Sequence, residues 1–297
     1  MNSDKIIEHF GAVFHDKVIV NLPKYAERWN LSNLEQIDYY SLSCLFTCDS
    51  TEYGACVLKF GMHLEISETE YYMLKDFDGN GLCKVYESDI NNGTLLIECI
   101  RPGTQLSDEP DQHIRLTEFC ALLQKLHRTP TDIAKYPSYM DWVSDMTTFI
   151  KTRSDYTVLY NEMVKAEKIC RQLWGKYTGR LLLHGDLHHE NILLGKDGYY
   201  AIDPLGVIGD PVFDIPLFIL EEVDWGAEGE YDSIVKTIST KLNVSEQDIR
   251  TLVYIESCRA NCCCVEDGDY DEVDMGEIFL AERMMNTEAA TASAGRK

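Results

Sequence analysis

The chain has 297 residues, 45% hydrophobic and 26% charged, the balance of an ordinary globular protein with length for one large or two modest domains. Its formal net charge is −23, from 50 acidic residues against 27 basic ones, so a phosphate backbone is repelled and nucleic acid is excluded as a partner. No apolar run is long enough to cross a bilayer, so no membrane role is expected.

The start, MNSDKIIEHF, has no charged stretch ahead of an apolar run, and the 11 Cys include no Cys-x-x-Cys pair and no zinc-site spacing. A cytoplasmic protein with reduced thiols is expected. Residues 1–34 read as mainly helical, with Pro23 marking a break. Residues 35–62 alternate apolar and polar and predict two strands joined near CDSTEYG. ISETEYYMLKDF at 65–76 predicts a helix, with Ser67 as its cap and Glu70 three residues on, the spacing of a capping box. DGNG at 78–81 is a turn, and strands at 82–88 and 93–100 flank Asn91-Asn92-Gly93. The order β-β-α-β-β makes an antiparallel sheet of at most five strands with one helix.

The pattern changes at Arg101-Pro102-Gly103. Apolar residues recur at helical spacing from about 113, at 140–152 and at 156–175. Short strands are expected at 180–183, 192–195 and 198–202, and helix resumes after Pro211 to about residue 286. The expected organisation is α+β: a small antiparallel-sheet lobe over 1–100, a connector at 101–104, a larger helical lobe over 105–287 and a frayed tail over 288–297. A cleft between such lobes is a ligand site.

LLLHGDLHHEN at 181–191 is an apolar run broken by three His, two acids and an Asn, and YYAIDPLG follows with Asp203. Phosphoryl transfer needs a hard divalent ion on the phosphates, a group to orient the attacking hydroxyl and a cation beside the phosphates. Asn191 and Asp203 supply oxygens for magnesium, and Asp186, five residues before Asn191, faces the acceptor hydroxyl. His184 joins them as a brace for the loop. The order His-x-Asp-x-x-x-x-Asn and a later Asp is the catalytic order of the protein-kinase-like fold. A capped turn and a strand end would explain either segment alone, but not their shared order. A Lys on the third strand with a helix Glu is the second test of that fold. Lys59 lies in CVLKF and Glu70 eleven residues on, with Glu68 as a rival partner; a charge in such a strand is costly unless paired. The backbone from Glu98 to Ile100 is placed to take an adenine edge.

LLHGDLHHENILL followed by AIDPLGVIGDPVFDI resembles the aminoglycoside phosphotransferase family, in particular its branch of streptomycin kinases and hydroxyurea-type phosphotransferases. The likeness is strong over about 180–217 and moderate over 54–104. It implies a bilobal kinase-like fold, ATP with Mg2+, and a small hydroxylated acceptor. It also implies Asp186 as catalytic base, Asn191 and Asp203 as magnesium ligands, and Lys59 on the α- and β-phosphates. Asp210 and Asp214 would organise the lower lobe and cap the helix after Pro211.

Gly185 stands where protein kinases carry Arg, and only a handful of residues separate Asp203 from Pro211, which favours a small acceptor over a peptide. The hairpin at 47–55 has one Gly and no glycine-rich loop. Residues 221–297 hold 18 acidic against 7 basic residues. Glu221, Glu222, Asp224 and Trp225 are expected to line the acceptor site, Glu266, Asp267, Asp269 and Asp271 form a second acidic cluster, and Trp142 or Trp225 offers a ring to stack on. Streptomycin or a related aminoglycoside is the expected acceptor. The alternatives are a housekeeping sugar or amino-alcohol kinase and an inactive nucleotide-binding scaffold.

Overall fold

Phe14, Val18, Leu22 and Tyr25 recur on one face of α2 (Ala12–Arg28), and Trp29 continues the stripe. The computed structural model describes residues 2–38, 42–227 and 229–294, with side chains described to residue 286. In it that stripe and the Ile6 and Phe10 face of α1 (Ser3–Phe10) pack on one side of an antiparallel sheet. The strands are β1 (Leu31–Gln36), β2 (Ser43–Ser50), β3 (Gly54–Gly61), β4 (Val85–Asp89) and β5 (Thr94–Glu98), in spatial order β1-β2-β3-β5-β4. Cys56, Leu58 and Phe60 of β3 enter this core, with Phe46 and Cys48 of β2 and Leu96 of β5. The strand alternation therefore turns Lys59 to the other face.

Three local expectations change. Pro23 lies inside α2 without ending it. A mid-helix Pro costs about 3 kcal/mol; burying Val18, Tyr25 and Trp29 on one face outweighs that, at about 1.5–3 kcal/mol per large side chain. The chain also forms β1 where the sequence reading carried helix on to residue 34. The capping box is absent. The helix α3 (Leu64–Phe77) begins after His63, which makes no side-chain cap, and Ser67 sits one turn inside, its hydroxyl donating to the His63 carbonyl at 3.0 Å. Ser-x-x-Glu here is a buried face, not a start signal: Ser67, Glu70, Met73, Leu74 and Phe77 all point inward.

One further hairpin, β7 (Ile192–Gly195) with β8 (Gly198–Ala201), groups with this first unit, which comprises residues 1–105 and 192–205. The sequence reading places that segment in the second domain. Hydrogen bonds explain the difference. The Ala201 amide donates to Gly81 O at 2.8 Å and the Cys83 amide to Ala201 O at 3.1 Å, while Leu194 exchanges bonds with Gly103 and Thr104.

The second unit, residues 106–191 and 206–297, is helical. It holds α4 (Gln112–Leu123), α5 (Tyr139–Lys151), α6 (Thr157–Lys176), α7 (Pro216–Glu222), α8 (Glu230–Leu242), α9 (Glu246–Asp267) and α10 (Met275–Ala294). The helix α9 is buried on every side by α5, α6, α7, α8 and α10. Ser138 and Asp141 form a true capping box at the start of α5, and Ser245 caps α9. A two-stranded ladder of β6 (Leu181–Leu183) and β9 (Val207–Gly209) brackets the loop of interest, and β9 is a strand the sequence reading lacks. Backbone 288–294 is helix in α10 where a frayed tail is expected; the side chains there and residues 295–297 lie outside what is described. No described helix is long and apolar enough to cross a membrane.

Candidate active site

The first unit carries one cluster. Lys59 Nζ donates to Glu70 Oε1 at 2.8 Å and to Asp203 Oδ1 at 2.9 Å, and the Lys59 and Glu70 side chains are 7% and 3% exposed. Glu68, the rival partner, points to solvent. Burial alone would depress the Lys59 ammonium, but Asp203 and then Glu70 outweigh it and hold it above its ordinary value. Burial and the Asp203 charge push the Glu70 carboxyl upward, against the pull of Lys59. Asp203 reaches this place because Ala201 pins the end of β8 to residues 81–83, and its backbone then turns into the left-handed region at φ 56. A non-glycine residue there is uncommon, and Asp is among the few that tolerate it. Its second oxygen, Oδ2, accepts no hydrogen bond among the described residues.

At the edge of the same unit, the Glu98 amide donates to Lys84 O and the Cys99 amide to Ala55 O, so the β5 ladder ends just before Ile100. At the tip of the hairpin between β2 and β3 two backbone amides are taken by a side chain. Ser50 Oγ accepts from the amides of Glu52 and Tyr53, and the Tyr53 ring stacks on Tyr86 at 4.6 Å.

A second cluster lies in the second unit. His184 is fully buried, and its Nδ1 accepts from the Asp186 amide at 3.2 Å, so it braces the loop as expected. Asp214 accepts from the amides of His184 and Gly185, both at 2.8 Å, and faces His127 Nε2 at 3.3 Å. Burial would raise the Asp214 carboxyl; His127, His184 and the Gly185 amide hold it below the usual range. Asp210 caps the turn Pro211–Asp214 through the Val212 amide. Gly185 has φ 82, and a Cβ there would lie 2.7 Å from the Trp142 ring, so an Arg at this position is doubly excluded.

Asp186 is part-exposed. Its Oδ2 accepts from the Asn191 amide nitrogen at 3.0 Å, and the same nitrogen donates to the Asp186 carbonyl at 2.9 Å. Asp186 Oδ1 and the Asn191 amide oxygen accept nothing among the described residues. Burial raises the Asp186 carboxyl above its ordinary value, against the pull of His188 and His184.

The four expected acceptor residues divide. Glu222 is 1% exposed at its side chain and is taken by His189 and by Nε and Nη2 of Arg115, which pull it down to about 2 against its burial. It is a structural anion, not a lining residue. Trp225 stacks on Tyr231 at 5.2 Å. Asp224 is exposed and caps the Gly226 amide. Glu221 remains, 42% exposed, with Oε2 at 3.2 Å from His188 Nδ1, off the line of a good hydrogen bond. Glu266, Asp267, Asp269 and Asp271 are exposed around the end of α9. The sequence reading assigns no role to His188 and His189. The available signal was their position, two consecutive His inside a run of buried residues.

Asp203 Oδ2 in the first unit and the Asn191 amide oxygen in the second are both uncommitted hard oxygens, the donor type magnesium takes. No described group of three or more His, Cys, Asp or Glu could enclose a metal alone.

An antiparallel sheet with a Lys–Glu pair, followed by a helical unit with a His-Gly-Asp loop, defines the bilobal protein-kinase-like α+β fold. The chain belongs to the aminoglycoside/hydroxyurea antibiotic resistance kinase family, whose sequence model matches residues 28–268. Streptomycin 6-kinase of Streptomyces griseus is 23% identical over 203 residues, 64% of this chain and 62% of that protein. Streptomycin 3''-kinase of Klebsiella pneumoniae is 31% identical over 157 residues, 50% of this chain and 54% of that one. The chain thus spans about three fifths or less of the length of these relatives. Among solved structures, the choline kinase LicA from Streptococcus pneumoniae aligns with TM-score 0.64 at 18% identity, over 93% of this chain and 99% of that one. An aminoglycoside phosphotransferase, APH(4)-Ia, solved with ADP and hygromycin B, aligns with TM-score 0.66 at 13% identity, over 90% of this chain and 98% of that one. These structural likenesses carry the fold alone.

Proposed function

We propose that this chain transfers the γ-phosphoryl group of ATP to a hydroxyl of a small cationic acceptor, streptomycin or a related aminoglycoside. The observation that carries this reading is the Asp186 carboxylate: one oxygen is gripped by Asn191, and the other is left to accept a proton from an alcohol. Asp186 orients the acceptor hydroxyl and takes its proton as the oxygen–phosphorus bond forms. Lys59, kept cationic by its two carboxylates, lies against the α- and β-phosphates, with Glu70 fixing its position. The backbone from Glu98 to Ile100 takes the adenine edge. Asp203 and Asn191 would hold magnesium, which neutralises the phosphate charge when bound. Glu221 attracts the acceptor's cationic group.

Release of ADP from ATP and magnesium with a panel of aminoglycosides tests the reading. Turnover that Asp186→Ala lowers by orders of magnitude, with ATP binding retained, is the expected result; no turnover with any of them counts against it.

A sugar or amino-alcohol acceptor is the second reading. Glu222 is spent inside the fold, while Glu221, of the four expected acceptor residues, stands 3.2 Å from His188 Nδ1. One such anion suits an acceptor with one positive charge. Thermal shift with a metabolite panel separates the two.

A further inference from the structure

His188 has no part in the scheme above, yet it stands between two of its members. Nε2 lies 3.7 Å from Asp186 Oδ2 and Nδ1 lies 3.2 Å from Glu221 Oε2, with the side chain 15% exposed. We propose that His188 is a positioning residue of phosphoryl transfer, bridging the Asp186 carboxylate to Glu221. The inference rests on the reading of Asp186 as the base.

The argument is geometric. A carboxylate turns readily about its last bond, and the Asn191 amide nitrogen holds Asp186 Oδ2 by one hydrogen bond. His188 Nε2 lies 3.7 Å from the same oxygen. Its ring cannot choose its own orientation, but a carboxylate on one nitrogen sets the plane in which the other points. Glu221, 3.2 Å from Nδ1, is placed to play that part once the contact is drawn into line. With Oδ2 bonded to Asn191 and faced by His188, Oδ1 is the oxygen presented to the acceptor. The 3.7 Å separation is longer than a hydrogen bond, as such contacts often are before substrate draws the site together. The arrangement also places an exposed carboxylate, Glu221, and the base beside a single imidazole, so an acceptor's cation and its hydroxyl are read by neighbouring groups.

The test uses the full chain with ATP and magnesium, following ADP release with water and with streptomycin as acceptors. His188→Ala is expected to lower kcat about tenfold to a hundredfold, the cost of misplacing a reacting group, with KM for ATP unchanged. His188→Gln, whose amide can donate in place of Nε2, recovers most of the loss, and Glu221→Gln shows a smaller loss of the same kind. His188→Ala combined with Asp186→Ala is no slower than Asp186→Ala alone. Wild-type kcat in His188→Ala overturns the proposal, as does a His188→Gln as slow as Ala or a KM for ATP that rises while kcat falls. Should His188→Ala fail to fold, His188→Gln and Glu221→Gln carry the comparison. Asp186→Ala at the wild-type rate sinks the reading of the base and this inference with it. A slow Asp186→Ala beside a fast His188→Ala sinks this inference alone, and a wild type that turns over neither water nor streptomycin overturns both.

Discussion

Asp203 and Glu222 are carboxylates committed to different degrees. Asp203 gives one oxygen to Lys59 and keeps the other, in a left-handed backbone that Asn also tolerates. Asp203→Asn is therefore expected to fold and to keep a bond to Lys59, while losing the charge a divalent ion needs. Calorimetry of ATP binding with and without magnesium reads this: the metal-dependent part of the affinity disappears, and normal Mg-ATP binding would show the metal assignment wrong. Glu222 gives everything to Arg115 and His189. Removing one member of a buried ion pair costs about 3–5 kcal/mol, because the partner is stranded. Glu222→Gln is expected to lower the denaturant midpoint by that order, whereas Glu221→Gln leaves stability unchanged and raises KM for a cationic acceptor. The sequence alone could have sorted these neighbours. Successive helix positions are about 100° apart, and Glu222 shares the face of buried Phe218 and Ile219.

At the scale of elements, what was legible had a local cause. The hairpin of β2 and β3, the helices α4 to α6, and the Lys59–Glu70 pair all follow from periodicity and from the cost of an unpaired charge in an apolar strand. What was not legible depends on partners far along the chain. The strand β9 is three residues long, too short for a pattern, and exists because β6 pairs with it. The hairpin β7–β8 joins the first unit through bonds to residues 81–83 and 103–104. Pro23 was misread because burial of the aromatic face of α2 overrides a local rule. The loop bearing Asp186 depends on two carboxylates in the same way: Asp214 holds its first amides and Glu222 ties His189 to α7. Both groups are depressed in the folded state, Glu222 to about 2. Their stabilisation is present above the unfolded carboxylate values, about 4, and is lost as pH falls through the folded ones. The urea midpoint is expected to fall steeply below about pH 4, and Asp214→Asn or Glu222→Gln to start lower at neutral pH and fall less. An acid limb identical in wild type and both variants would remove the two groups from the account.

For the whole molecule, the proposed function sets a net charge of −23 against two substrates of opposite sign. The field of a protein concentrates ligands of the other sign and repels those of its own. ATP is an anion, and on that proposal local groups, Lys59 above all, must draw it in against the general repulsion. An aminoglycoside is a polycation and would gain from the field before reaching Glu221. Salt separates these effects from contact energies, since the screening length shrinks from about 30 Å at 0.01 M to about 8 Å at 0.15 M. Over that range kcat/KM for a polycationic acceptor is expected to fall severalfold, while KM for ATP holds steady or improves. An acceptor with one charge should lose less, and a neutral sugar nothing. The salt slope of kcat/KM across streptomycin, an amino alcohol and a sugar thus ranks the two readings of the acceptor by physics independent of the pocket's shape. Equal slopes for all three would mean that the acidic surplus is a solvated surface with no bearing on which acceptor is taken.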